Sequence, residues 1–344
     1  MLLSMHAAAL LKEQGYHVIG ATMRLWTYSD SCNMKHEGCC AESAVEDARR
    51  VCDKLGIDFY VMNFKDMFKD KVVDYFVDEY IHGRTPNPCI ACNKYLKFDA
   101  LLKKALAMGI DYVATGHYAR IEKGEDGKYI LRASEAVKKD QSYVLYNFTQ
   151  EQLAHTLMPL GGYNKDWVRQ KAEELGLGVA HKPDSQEICF VEDDDYAKFI
   201  TDYSGYKPKE GDILDVNGNV IGKHRGLIYY TIGQRKGIGA YGRPMFVMKI
   251  DAENNTITLG EKGMEFSNEL TAYDVNFVSG EFPKENMLIT AKVRYQAPPA
   301  AAMLCPQKDG TVKLMFPEPQ RAVTPGQAVV FYDGDIVLGG GTVL

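Results

Sequence analysis

A change of texture about two thirds of the way along the chain constrains the fold most. From residue 7 to about 115, helical and strand patterns alternate, as in a parallel α/β sheet. Residues 7–14 read as a helix stopped by Gly15, 17–25 as a strand, 41–55 as a helix stopped by Gly56, and 58–63 as a strand. The segments 65–80 and 94–108 read as helices, the second ending at Gly109, and 112–115 as a strand. This order predicts a doubly wound, nucleotide-binding sheet with ligands beyond the carboxyl ends of its strands. Residues 121–132, with GEDG between two alternating runs, predict a β-hairpin; 150–157, 165–175 and 194–203 predict helices. After KPKEGD (207–212) come short strands and Gly- or Asn-rich turns such as DVNGNVIG and DAENNTITLG. Boundaries near 206 and 268 divide the chain into an α/β domain (1–206), a small β-rich central domain (207–267) and a C-terminal β-barrel (268–344).

Forty Lys and Arg against 46 Asp and Glu leave a net charge of −6, so no global basic field marks a nucleic-acid partner and a local patch would have to serve. The apolar start MLLSMHAAALL lacks a basic flank and passes at once into Lys12-Glu13. No segment reaches the roughly 20 apolar residues of a membrane span. A cytoplasmic location is expected. Eight irregularly spaced cysteines in a chain of 344 residues argue against a secreted disulfide scaffold.

Two of those cysteines stand out: Cys92 in TPNPCIACNKYLKF (85–98) and Cys189 in KPDSQEICFVEDDDY (182–196). Their surroundings are polar and loop-like, which suits reactive thiols better than structural ones. Around them stand ATGHYAR (114–120), KKDQSYVLY (138–146) and GKHRGLIYYTIGQRKGIG (222–239). With these five motifs in this order, the chain from about Ala7 to Leu344 resembles the bacterial tRNA-specific 2-thiouridylases, which replace the 2-oxygen of the wobble uridine with sulfur. The resemblance implies an adenine nucleotide alpha-hydrolase-like first domain. It also implies ATP, with Mg2+, as the activating substrate, a tRNA anticodon arm as partner, and a sulfur donor such as a cysteine desulfurase or sulfur-relay protein.

The resemblance assigns roles to residues. A uracil oxygen departs only after activation, and transfer of AMP from ATP supplies it. A persulfide on Cys189 then attacks the adenylated carbon, while Cys92, the nucleophile, assists release of the sulfur and forms a transient disulfide with Cys189. Met23 would pack on adenine, and Gly116 would let the nucleotide approach the backbone. Asn87, Pro88 and Cys89 would line the target-base pocket, with His117 on the tRNA side. Lys139, Asp140 and Gln141 would contact tRNA, as would Arg294, Tyr295 and Gln327 in the barrel. Lys223, His224, Arg225, Arg235 and Lys236, with Tyr229 and Tyr230, would form a basic and aromatic patch of the kind that holds phosphates and stacks unpaired bases.

Two features depart from the family pattern. The family opens on a strand and a glycine-rich SGGxDSS turn that cradles phosphates; here, with AALLKEQGY set against the family's first helix, Ser4 falls on a serine of that turn and Leu3 on its aspartate, and the glycines have no counterpart. Weak ATP binding is the expectation for the chain as it stands. Position 89 is a cysteine where some relatives carry aspartate, and the resulting CxxC, together with Cys32, Cys39 and Cys40, leaves open a metal or iron–sulfur centre, the less favoured alternative. In the plainer reading Cys40 and Cys52 line the sheet's helices, Cys32 and Cys39 lie in a surface loop, and Cys305 belongs to the barrel core. Two competing readings remain: a tRNA-binding paralogue without ATP activation, and a thiol or iron–sulfur redox protein on the same scaffold.

Overall fold

The chain is described from a computed structural model covering residues 2–26, 42–136, 139–174, 188–191 and 194–344. Its first domain opens on α1 (Leu2–Glu13), followed by β1 (Gly20–Arg24), α2 (Glu42–Leu55) and β2 (Phe59–Asn63). β1 and β2 pair in parallel, with Met23 opposite Met62. Helix α3 runs over 65–81, and Gly15 and Gly56 take positive φ just past the ends of α1 and α2, as the sequence predicts.

Helix α4 is longer than its sequence pattern. Pro88 occupies a first-turn position, where its missing N–H costs nothing, and Asn87 caps the end by accepting from Cys89 N at 3.1 Å. From there the helical path is continuous to Ala107, widening to i→i+5 bonding over Cys92–Ala100. The loop-like context expected for Cys92 is therefore incorrect. The Asn-Pro that suggested a loop is the helix's start signal, and Cys92 is 8% exposed within an apolar cluster.

Past α4 come β3 (Val113–Ala114), the hairpin β4 (Ala119–Lys123) and β5 (Tyr129–Ala133), a 3-10 turn at Ser142–Leu145, and α5 (Gln150–Ala154). The helix expected over 150–157 ends early, because 156–157 form β6 (Thr156–Leu157), parallel to β3. Among the described residues of the first domain, the parallel strands thus form two separate pairs. α6 (Lys165–Glu174) and α7 (Tyr196–Ser204) complete the helices.

The central domain is a four-stranded sheet of β7 (Gly211–Leu214), β8 (Val220–His224), β9 (Met245–Asp251) and β10 (Thr256–Glu261), in the order β8-β7-β10-β9. The last domain holds β11 (Phe266–Phe277), β12 (Met287–Lys292), β13 (Ala300–Pro306), β14 (Val312–Arg321), β15 (Ala328–Asp333) and β16 (Ile336–Val343). Their order β11-β14-β13-β12-β15-β16 closes on itself through β11 and β16, which removes exposed edges. The hairpin β4–β5 joins this sheet through Arg132 opposite Ile336, so a piece of the first domain extends the third. Arg120 and Arg132 both reach Asp335, at 2.6 and 2.7 Å, and fasten the junction.

One core spans the two domains: Ile90, Phe98, Tyr143, Tyr146 and Phe148 pack with Ala328, Val330, Tyr332 and Val337 of the barrel. Gly340 makes room for this. A Cβ there would lie 2.6 Å from Val329 O and 2.7 Å from the Tyr146 ring. Gly340→Ala should cost about 1–3 kcal/mol by overpacking, whereas Gly162→Ala, at a site with open space, should stay within about 0.5 kcal/mol of the parent. Denaturant unfolding of both variants measures the difference; equal midpoints would mean that the interface yields to the added methyl.

Candidate active site and RNA-facing surface

Cys92 and Cys189, far apart in sequence, come to one place. Cys92 belongs to the cluster of Phe68, Phe76, Leu96 and Phe190, and Cys189, half-buried, packs against the same cluster. Cys89 sits on the first turn of α4 and is exposed. Among the described residues no group of three or more His, Cys, Asp or Glu is arranged to hold a metal ion. Cys32, Cys39 and Cys40 lie outside the described residues. Cys52 is buried beside β1, as expected, whereas Cys305, expected in the barrel core, is only half-buried on β13 and outside the core cluster, because its strand alternates inward and outward.

The expected nucleotide contacts lie at the carboxyl ends of parallel strands. Met23 is near the end of β1, half-buried against the cluster that holds Cys92. Gly116, buried just after β3, donates its N–H to Ser4 Oγ at 3.4 Å, which brings the start of α1 to the same strand end. His117 follows, its Nδ1 2.8 Å from Thr115 Oγ1 and its ring 5.8 Å from that of Phe98. Burial, and then the charge of Lys97, hold its pKa well below the ordinary imidazole value, so the ring is neutral at pH 7. Lys97 had no role in the sequence reading, although its place five residues after Cys92 in CNKYLKF could have marked it.

The KDQ segment is built into the protein. Asp140 Oδ1 accepts from the backbone N–H of Ser134 and of Ser142, each at 3.1 Å, and Oδ2 accepts from Ser142 Oγ at 2.8 Å. Gln141 exchanges two bonds with Tyr118: its Oε1 accepts from Tyr118 N at 3.0 Å, and its own N–H donates to Tyr118 O at 2.9 Å. Gln141 therefore aligns the TGHY strand end. Lys139 donates its backbone N–H to Ala136 O at 2.7 Å.

Barrel residues complete the surface. Tyr295 is partly exposed (39%), donates its hydroxyl to Asp140 O at 3.2 Å, and has its phenol pKa raised first by the loss of water around the hydroxyl and then by Asp140 and Cys89. Residues from two distant motifs, Asp140 and Tyr295, thus meet, with Cys89 near enough to act on the phenol. Arg294 differs from its neighbour. Its guanidinium donates to Ile232 O at 3.0 Å, Ala322 O at 2.6 Å and Thr324 Oγ1, bridging the central domain to the barrel. Gln327 donates Nε2 to Thr85 O at 2.7 Å. Thr85 itself was missed, being an unremarkable residue of a loop until the barrel is folded against it.

In the central domain the expected patch narrows. His224 is 1% exposed: its Nε2–H donates to Asn255 O at 3.0 Å and its Nδ1 accepts from Gly226 N, so both nitrogens are used internally. Tyr230 is core. These two are corrected from RNA-facing to structural, because alternation along the strand and its turn points them inward. Arg235 and Lys236 are exposed, Arg225 lies 4.0 Å over the Tyr229 ring, and Lys223 pairs with Asp212 at 2.6 Å.

Comparison with known proteins bears on this arrangement. Residues 3–193 match the family described as the tRNA methyl transferase HUP domain, residues 197–261 the tRNA methyl transferase PRC-barrel domain, and residues 267–343 the aminomethyltransferase beta-barrel domain. The tRNA-specific 2-thiouridylase MnmA of Acetivibrio thermocellus is 58% identical over 98% of this chain and 95% of its own length. The proteins of that name from Clostridioides difficile and Clostridium botulinum are 57% and 56% identical, each over 98% of this chain and 94% and 93% of their own lengths. Domain order, near full-length identity and the convergence of the two motif cysteines agree: the chain belongs to the tRNA-specific 2-thiouridylase family.

Proposed function

We propose that this protein is an ATP-dependent tRNA sulfurtransferase that thiolates the 2-position of the wobble uridine. The observation that carries the reading is that Cys92 and Cys189 border one apolar cluster, which also takes in Met23 near the end of β1 in a HUP-type domain. The HUP domain supports ATP use, with Mg2+ as the ion that would accompany the triphosphate. Met23 and Gly116 would hold the nucleotide, since an unbranched, polarizable apolar side chain can pack on a purine face and a glycine leaves the backbone open to close approach.

The chemistry follows from the two thiols. AMP transfer from ATP to the uracil 2-oxygen, with pyrophosphate departing, makes that oxygen a leaving group. The terminal sulfur of a Cys189 persulfide, filled by an external donor such as a cysteine desulfurase or relay protein, attacks C2, and AMP leaves with the oxygen. The Cys92 thiolate then attacks the Cys189 sulfur and breaks the S–S bond to the new thio-base. The thiolated base departs, and a Cys92–Cys189 disulfide is left for an external dithiol to reduce. Asn87 and Pro88 shape the entry to α4, where the base would sit, with Cys89, neutral His117, the KDQ segment and Tyr295 around it. Arg225, Arg235 and Lys236 would take backbone phosphates. Arg294 and Gln327 would contribute to RNA binding chiefly by holding the domains together. No described helix is long and apolar enough to cross a membrane.

Cys189→Ser should abolish persulfide formation and sulfur transfer, while Cys89→Ser should retain both. Peptide mass spectrometry after treatment with a cysteine desulfurase and cysteine reads the site directly, and a persulfide that maps to Cys89 and never to Cys189 would overturn the assignment.

Despite the net charge of −6, tRNA binding should fall steeply with salt, because local phosphate contacts release counterions whatever the distant surface carries. Arg235→Ala should weaken binding and reduce the slope of log K against log[salt] by about 0.7–0.9, one phosphate contact's worth. The alkylation rate of Cys189 should not change. Filter binding across a salt series checks this, and a slope indifferent to the substitution would remove the central domain from the RNA interface.

A further inference from the structure

The barrel turn 324–327 and the segment leading into α4 hold each other by a reciprocal pair of hydrogen bonds. Thr85 N–H donates to Pro325 O at 2.9 Å, and Gln327 Nε2 donates to Thr85 O at 2.7 Å. Between these bonds stands Gly326 at φ +87°, where a Cβ would lie 2.9 Å from Thr85 N and 3.0 Å from Arg84 Cβ. The approach is therefore one that only glycine permits. On the other side of Thr85, its Oγ1 lies 3.4 Å from Thr231 Oγ1 of the central domain, and Arg84 is clamped on the buried Glu79 by two bonds from its guanidinium. Two residues further on, Asn87 caps α4, whose first turns carry Cys89 and Cys92. The position of that cap depends on a backbone whose N–H and C=O are both held by the barrel.

The orientation of the Gln327 amide follows from its partner. A carbonyl oxygen can only accept, so the nitrogen must face Thr85 O, and that end of the side chain is committed inside the protein. We propose that Gln327 is a positioning residue for the reaction: its amide holds the Thr85 carbonyl, sets the capped first turn of α4, and thereby couples the docking of the barrel to the placement of Cys92. This rests on the reading of Cys92 as a reacting thiol. A tRNA that grips the barrel and the central domain would then stiffen, through Thr85, the segment that presents the thiol.

Gln327→Glu keeps the side chain's size but replaces the donor with a group that repels a carbonyl. In the full-length protein without RNA, site-resolved iodoacetamide labelling should show Cys92 reacting about tenfold faster relative to Cys305 in the variant, the opening expected when one backbone-directed hydrogen bond is lost. Single-turnover thiolation at saturating tRNA should slow by a similar factor. Gln327→Asn, which keeps the amide but withdraws it by one methylene, should show the same labelling change and serves if the Glu variant does not fold. Unchanged labelling of Cys92 in the folded variants would overturn the proposal, as would a tenfold loss of tRNA affinity with labelling unaltered, which would make Gln327 an RNA ligand only. Because labelling needs no RNA, a parent protein that fails to bind or thiolate tRNA would refute the functional reading separately.

Discussion

The run Ser142–Phe148 is wedged between the α/β domain and the barrel, and the placement of the site depends on its burial. Tyr143 is fully buried and donates its hydroxyl to Ala328 O at 2.7 Å; Tyr146 packs its ring over Gly340. Asn276 of the barrel donates its amide to Tyr146 O at 2.7 Å and Phe148 O at 3.1 Å, so the wedge's backbone is satisfied by the domain it enters. Each large side chain buried here contributes roughly 1.5–3 kcal/mol. The same run is tied to α4 by Asn93, whose amide donates to Val144 O at 3.0 Å. Cysteine-bearing helix, KDQ segment and barrel therefore share one support.

This arrangement explains why so many polar residues of the site are engaged with protein atoms. Gln141 aligns the TGHY strand end, Asp140 folds its own loop, Arg294 bridges two domains, and Lys94 reaches Asp274 of the barrel at 2.7 Å. A surface that must receive a large, flexible polyanion gains from groups already fixed, since ordering them at the moment of binding would cost affinity. Arg235 and Lys236 are exposed in the central domain, as is Arg225 over its tyrosine, and an overall acidic chain can still offer a basic face where such cations are local.

Burial also acts on the chemistry. The apolar cluster keeps Cys92 buried and Cys189 half-buried, while Cys89, on the same helix, faces outward. His117 is kept neutral by burial and by Lys97. The helix widens from Cys92 onward, a distortion that re-aims side chains relative to a regular α-helix.

Local pattern sufficed for much of this. Alternating elements before residue 115, turn-rich strands after 207 and the hairpin at 121–132 follow from periodicities and turn residues that act over a few positions, whereas the two motif cysteines are singled out by the family resemblance of the motifs around them. Other features are decided by contacts between segments hundreds of residues apart. Asn87-Pro88 reads equally as a loop or as a capped helix start, and burial of Ile90, Ala91 and Cys92 selects the helix. His224 and Tyr230 look like RNA contacts in a basic motif, and only the central sheet turns them inward. That the hairpin joins the barrel's sheet, that Arg294 and Gln327 spend their donors on other domains, and that Thr85 has any part to play are visible only in the folded chain, because hydrogen-bond partners and buried surface arise from the meeting of distant segments, which no local sequence pattern encodes.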